Sequence, residues 1–355
     1  MQINSAEKVE IVMIITKTPF RMSFFGGGTD MEEFFNEHGG AVISTTFDKY
    51  CYVSVRHLPR FFEYRNQVSY SKIEKVMHTE EIQHPAVREA MKYLDMHELI
   101  ITYDADLPAR TGLGTSSSFA VGMLNAFYAL KGKYVGKQKL ADDAIYLERI
   151  LCNEAGGWQD QIEVSFGGLN RIDFSSGKYN VSPVIISPER KQKLNQNLML
   201  FFTGYSRFSA KVQNDMKAHI GDNIERLLEM KSLVDDAEQV LVDKTVSLDE
   251  FGRLLDYTWK LKRQTGSQIS TNDIDILYNK AIEAGALGGK LLGAGGGGFL
   301  LFYVPKEKQR AVEKALGSLL FVPFEFENSG TEIIYYAPEE YLPVKREPME
   351  VIENE

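Results

Sequence analysis

Three features predict a two-domain chain of mixed helix and strand, α/β (α+β) in class. The first is the stretch Leu99–Leu130. A strand-like run (LIITYDAD) leads into a loop with two glycines one residue apart and four consecutive hydroxyl residues, and a long apolar helix-like run leads out. The second is a composition shift at about residue 195, where the polar segment 187–196 gives way to the apolar LMLFFTG. The third is a long block of helical spacing, 206–285, followed by a strand, helix and strand succession. The division is therefore 1–195 and 196–355. With 355 residues and 44% hydrophobic content, the chain has ample material for two cores.

In order, 11–16 reads as a strand. Pro19 and Gly26, Gly27 and Gly28 make 17–35 a loop, with Thr29 or Asp30 capping a short helix, MEEFFNEHG. Residues 41–46 and 49–56 read as two strands, 57–72 as an irregular basic and aromatic stretch, and 85–94 as a helix. Over 138–152 helical spacing puts Leu140, Ala144, Leu147, Ile150 and Leu151 on one face, with a break at Gly156-Gly157. A short helix follows over 158–164, then a hairpin-like region to Tyr179. In the second half, 198–204, 299–304, 320–327 and 331–336 read as strands and 306–316 as a helix.

The net charge of −9 supplies no basic surplus for a phosphate backbone, so nucleic acid is excluded as main partner. No apolar run has the length of a membrane span. The first residues are acidic and their apolar run short and β-branched, unlike a secretory signal, with Met13 an alternative start. Cys51 and Cys152 form neither a disulfide framework nor a zinc pattern and read as thiols of a reducing cytoplasm.

Four stretches carry chemistry. PARTGLGTSSSFA (108–120) joins a strand to a helix through glycines. There, unpaired N–H groups and the positive helix end favour an anion, although a tight turn with a serine cap has the same composition. It is neither a Walker A loop nor a dinucleotide fingerprint. KLLGAGGGGF (290–299) is too glycine-dense for strand or helix and suits close backbone approach to a ligand or another element. Glu148 and Asp160 flank a glycine break. They are either a solvated residue and a cap, or two acids converging on one site, one for Mg²⁺ and one for a proton. Arg21 and Asp30 bracket the first glycine run.

Together these stretches resemble the GHMP kinases (galacto-, homoserine, mevalonate and phosphomevalonate kinases). The loop at 108–120 is similar to their Pro-x-x-x-Gly-Leu-Gly-Ser-Ser motif, TPFRMSFFGGGTD to their N-terminal motif and KLLGAGGGGF to their C-terminal one, in the family's order. The resemblance implies an N-terminal ribosomal-S5-domain-2-like domain, a C-terminal ferredoxin-like domain and ATP between them. Arg21 and Asp30 keep the galactokinase spacing, but Gly27 and Gly28 replace its Glu-His pair. FGGGTD with GGWQDQ resembles the bacterial D-glycero-D-manno-heptose 7-phosphate kinases, which supply activated heptose for surface glycans, and less closely the L-fucose kinases.

By that resemblance Pro108, Arg110, Gly112, Leu113, Gly114, Thr115, Ser116 and Ser117 hold the ATP phosphates. Ser116 and Glu148 ligate Mg²⁺, Asp160 is the base for the sugar hydroxyl, and Arg21 is the cation beside it. Asp30 accepts sugar hydroxyls, as an acceptor-only carboxylate can, and Gly27, Gly28, Gly295 and Gly296 line the substrate. The partner is a small sugar or sugar phosphate, with room for a homodimer. A non-catalytic ATP and sugar sensor is the reading from another class. Candidates for a second phosphate are Arg56, His57, Arg60, Arg65, Arg207 and Lys211.

Overall fold

The computed structural model describes residues 13–337 except 60, 110, 205–208 and 267. Arg110, Arg60 and Arg207 thus lie outside the described residues, as does the side chain of Lys211.

Two long strands form the spine of the first domain. Strand β1 (Met13–Phe25) pairs antiparallel with β2 (Gly40–His57), and the helix α1 (Glu32–His38) sits in their connection. The loop expected at 17–25 is strand instead. Pro19 is accommodated where the β1–β2 register shifts, a bulge that needs no N–H there. The two strands read over 41–56 are likewise one, continuous through Phe47–Lys49. Neither Thr29 nor Asp30 caps α1: its N-cap is Met31, without a side-chain bond.

The far edge of β2 is shared by three partners. Strand β5 (Leu99–Ala105) takes Cys51–His57 and β6 (Leu169–Ser175) takes Gly40–Thr45. Between them lies β12 (Phe326–Glu327), from near the end of the chain. The last described strand, β13 (Glu332–Ala337), covers the outer edge of β1. Strands β3 (Asn66–Ser69), β4 (Ile73–Val76) and β7 (Lys178–Pro183) complete this sheet.

Helix α2 (Pro85–Tyr93) precedes β5, and α3 (Thr115–Leu130) follows it. Every residue of α3 except Ser116 is buried, as a helix that is apolar on all sides beyond its first turn requires. It lies so close on the sheet that Thr16 Oγ1 bonds the Gly122 carbonyl at 3.0 Å. Helix α4 (Lys137–Ile145) runs into a π turn at Tyr146–Leu151, and α5 (Gln159–Phe166) follows the glycine break. The wide turn displaces the helical face by one residue. Ile150, expected inside, is 61% exposed, while Glu148 turns inward.

After α6 (Pro188–Gln196) the second sheet forms, in the order β11–β8–β10–β9. Its strands are β8 (Leu198–Phe202), β9 (Gly288–Leu291), β10 (Phe299–Tyr303) and β11 (Leu320–Val322), all antiparallel. Four helices, α7 (Ser209–Ala218), α8 (Ile224–Val242), α9 (Asp249–Arg263) and α10 (Asn272–Glu283), separate β8 from β9, and α11 (Gln309–Ala315) joins β10 to β11. In chain order the strands lie 4-1-3-2, the split β-α-β of a ferredoxin-like domain. The single strand read over 320–327 is two strands in different sheets. Pro323 removes a ladder donor between them, and Phe324 passes over Phe47 at a ring separation of 5.8 Å.

The two sheets share a core. Phe24 and Phe25 of β1 meet Phe251 of α9 edge to face at 5.3 and 5.1 Å. A second cluster, with Trp259, Tyr278 and Phe302, fills the space between the second sheet and its helices. Among the described residues no helix is long and apolar enough to cross a membrane.

Candidate active site

The end of β1, the start of α3, the turn before α5, the end of α9 and the glycine turn between β9 and β10 all converge. Their meeting depends on backbone approaching backbone. A Cβ on Gly112 would stand 2.3 Å from the Leu292 carbonyl oxygen, and one on Gly293 would stand 2.3 Å from Gly112 Cα. Further along, Gly298 lies against the Thr111 carbonyl, while Gly295 and Gly296 meet Ile269. Gly293 and Ala294 face the pocket.

Arg21 is the hub. Its Nε and Nη2 donate to the two carboxylate oxygens of Asp160 at 2.8 and 2.7 Å, and its Nη1 donates to the Gly112 carbonyl at 2.6 Å. Its backbone N–H bonds Leu113, and Gly114 leaves room for its side chain. The arginine is buried, whereas Asp160 keeps 23% of its side-chain surface open to the pocket. A two-bond fork of this kind fixes both side chains.

Asp30 is also buried, at the mouth of the first glycine loop. It accepts from the backbone N–H groups of Gly28 (2.9 Å) and Gln159 (3.3 Å), so it ties that loop to the start of α5. Burial raises its pKa, the Gly28 N–H opposes the rise, and Asp160 adds to it. Gly157 is obligatory beside it, since a Cβ there would fall 1.9 Å from Asp30 Oδ2. Gly27 and Gly28 line the same pocket.

The π turn supplies Glu148. Ser116 and Ser117, at the start of α3, donate to its two oxygens at 2.7 and 2.8 Å, and Gln161 donates as well. Thr115 is buried in the same turn of helix, and Pro108 accepts from Thr111 Oγ1 at 2.8 Å. Among the described residues no group of three or more His, Cys, Asp or Glu is placed to hold a metal. An exposed hydroxyl beside a buried carboxylate nevertheless fits a hard cation that takes its remaining ligands from phosphate and water.

Four cationic side chains line the pocket, Arg21, Arg149, Lys262 and Lys290. The last three carried no role in the sequence reading: Arg149 and Lys262 look like any solvated residue of a polar helix, and Lys290 is overshadowed by the glycines after it. Lys262 Nζ donates to the Gly293 carbonyl and Lys290 Nζ to that of Phe24, at 2.8 Å for the latter. Burial, reinforced by Arg21, brings the Lys262 pKa down to about 8. Burial also lowers that of Lys290, with Lys262 as the next cause. Of the basic residues proposed from sequence, Arg56, His57 and Arg65 lie elsewhere. Arg56 pairs with Met13, and Arg21 with Thr46, so Arg56 and His57 are roughly 25 Å along the strands from Arg21. Arg65, bonded to Val76 beside β3, is at that same end of the sheet.

Residues 81–168 match the N-terminal domain of the GHMP kinases and residues 244–320 their C-terminal domain. The chain is 29% identical over 324 residues to a D-glycero-alpha-D-manno-heptose 7-phosphate kinase of Campylobacter jejuni, covering 85% of this chain and 93% of that protein. It is 30% identical over 224 residues to an L-fucokinase/L-fucose-1-P guanylyltransferase of Bacteroides fragilis, covering 60% of this chain but 23% of that one. In structure it is similar to a D-glycero-D-manno-heptose 1-phosphate kinase from Bacteroides thetaiotaomicron, at a TM-score of 0.73 and 22% identity, covering 91% of this chain and 99% of the other.

Proposed function

Because this chain belongs to the GHMP kinase family, whose sugar-kinase members transfer phosphate from ATP to a hydroxyl, we propose that it phosphorylates the anomeric hydroxyl of D-glycero-D-manno-heptose 7-phosphate. The observation that carries the proposal is the charge of the pocket. Four basic side chains, two arginines and two buried lysines, stand around two carboxylates, Asp30 and Asp160, so basic groups outnumber acidic ones. That excess suits anionic groups, the phosphoryl being transferred and a phosphate carried by the substrate. The similarity to the heptose 7-phosphate kinase supports the same reading.

In this reading Asp160, held by the Arg21 fork, lies against the anomeric hydroxyl and takes its proton as the oxygen attacks. Arg21 also stabilises negative charge on the transferring phosphoryl group, its Nη1 tying it to the phosphate loop at Gly112. The backbone of Gly112–Ser117, at the start of α3, cradles the nucleotide phosphates. Asp30 accepts from sugar hydroxyls and sets which one faces Asp160. Ser116 and Glu148 would hold Mg²⁺, which neutralises phosphate charge when bound.

The test is steady-state phosphorylation across heptose 7-phosphate, L-fucose, galactose and other free sugars. Preferred turnover of the heptose phosphate is expected. Turnover of a free hexose or L-fucose with none of the heptose phosphate would overturn the substrate assignment. L-fucose is included because of the fucokinase relative.

A further inference from the structure

We propose that Arg149, together with Gln213 across the domain boundary, grips the phosphate that the sugar carries away from its reacting hydroxyl. This rests on the sugar-phosphate reading above.

The pocket's cations divide by what already occupies them. Arg21 spends its fork on Asp160 and its third nitrogen on Gly112. Lys262 and Lys290 are only 4% and 1% exposed and are tied to main-chain carbonyls, so they form the floor of the pocket with their donors already engaged. Arg149 stands on a different wall. Its Nη1 donates to the Glu154 carbonyl at 2.8 Å, and its Nη2 lies 3.7 Å from Glu148, a carboxylate that already accepts from two serines and Gln161. Its Nε is buried with no acceptor. A guanidinium has five N–H groups, so donors remain for an incoming anion.

The turn 156–160 orders the wall. Asp160 stands in the first turn of α5, Gly157 abuts Asp30, and Gly156 lies under Arg149. A Cβ on Gly156 would stand 2.9 Å from both Arg149 Nη1 and Gln213 Nε2, so two donors from different domains converge on one bare glycine. Asp30, Asp160, Arg149 and Gln213 line one pocket, so a sugar whose anomeric hydroxyl meets Asp160 and whose ring hydroxyls meet Asp30 has this pair within the same pocket for its remaining chain. A planar fork and an amide N–H suit the several oxygens of a terminal phosphate.

Wild type, Arg149→Gln, Arg149→Lys and Gln213→Ala are compared on D-glycero-D-manno-heptose 7-phosphate and on the unphosphorylated heptose, with thermal unfolding to verify folding. Arg149→Gln is expected to raise KM for the 7-phosphate roughly 10- to 100-fold and to lower the ratio of kcat/KM, phosphorylated over unphosphorylated, by a similar factor. Arg149→Lys should fall between it and wild type, because it keeps the charge and loses the fork. Gln213→Ala should shift the same ratio by roughly 3- to 10-fold. Equal losses on both sugars would place Arg149 at the transferred phosphoryl or in the scaffold and overturn the inference, as would an unchanged KM. Wild type that prefers the unphosphorylated sugar would instead overturn the sugar-phosphate reading itself.

Discussion

Asp160 and Arg21 are joined by two hydrogen bonds, so either can be removed only at the other's expense. Asp160→Asn is expected to lower kcat by roughly 10²- to 10⁴-fold while ATP affinity changes little, measured by single-turnover kinetics beside nucleotide titration. Unchanged turnover would refute the base. Lys262 makes a different prediction. With a pKa brought down to about 8 by burial, it is partly deprotonated in mildly alkaline solution, and an anion entering the pocket favours the charged form. Substrate binding near pH 8 should therefore take up protons and weaken as pH rises further. Calorimetry in buffers of different ionisation enthalpy reads the uptake directly. Glu163 lies fully buried one turn beyond Asp160, bonded by Ser44 at 2.6 Å and Asn170 at 3.0 Å, and burial raises its pKa to about 7. Between pH 4.5 and 7 the folded protein keeps a proton there that the unfolded chain releases. Stability should accordingly fall by up to roughly 3 kcal/mol as pH rises through that window. Glu163→Gln should flatten this part of the curve in denaturant unfolding measured at several pH values.

At the scale of elements, the site is built by irregularities. The π turn swings Glu148 under Ser116 and Ser117, and the paired glycine turns let Gly112 and Gly293 touch through main chain. Gly112→Ala should be severe, since its φ is +82° and the new methyl meets Leu292. We expect roughly 3 kcal/mol or more of lost stability together with loss of ATP binding. Gly132 has φ +66° with nothing within 4 Å, so Gly132→Ala should cost about 1 kcal/mol and leave activity in place. Thermal unfolding of the two variants makes the comparison. This contrast also explains what was legible beforehand. The phosphate loop, the Arg21–Asp30 segment and the C-terminal glycines are contiguous motifs, so their residues could be named from order and spacing. Glu148 could be named by resemblance, but helical periodicity turned it outward, because a single extra residue in a turn leaves no compositional trace. Lys262 could not be named at all. On α9 it differs from Lys260, which points out to Asp256, only in the direction that packing gives it. Pro19 misled in the opposite sense: a bulge excuses the proline that a regular ladder would reject.

Over the whole molecule, the two sheets are joined by Phe24, Phe25 and Phe251 and by the late strands β12 and β13, which lie on the first sheet after the chain has finished the second. Phe324 and Phe326 pin this return against Phe47 and Phe24. Phe324→Ala should lower stability by about 2–4 kcal/mol, read by denaturant unfolding, and weaken both halves together rather than one. The same return bears on how the protein is made. Strand β1 leaves the ribosome before every other described strand, yet the strand that covers its outer edge is more than three hundred residues behind it. At about 5–20 residues per second, that edge waits roughly a quarter of a minute to a minute for its partner. Through that interval the nascent chain presents an unpaired strand to its neighbours. The pocket takes its lining from residues spread between Arg21 and Ala294, so it is complete only after β9 and the glycine turn that follows it have been made.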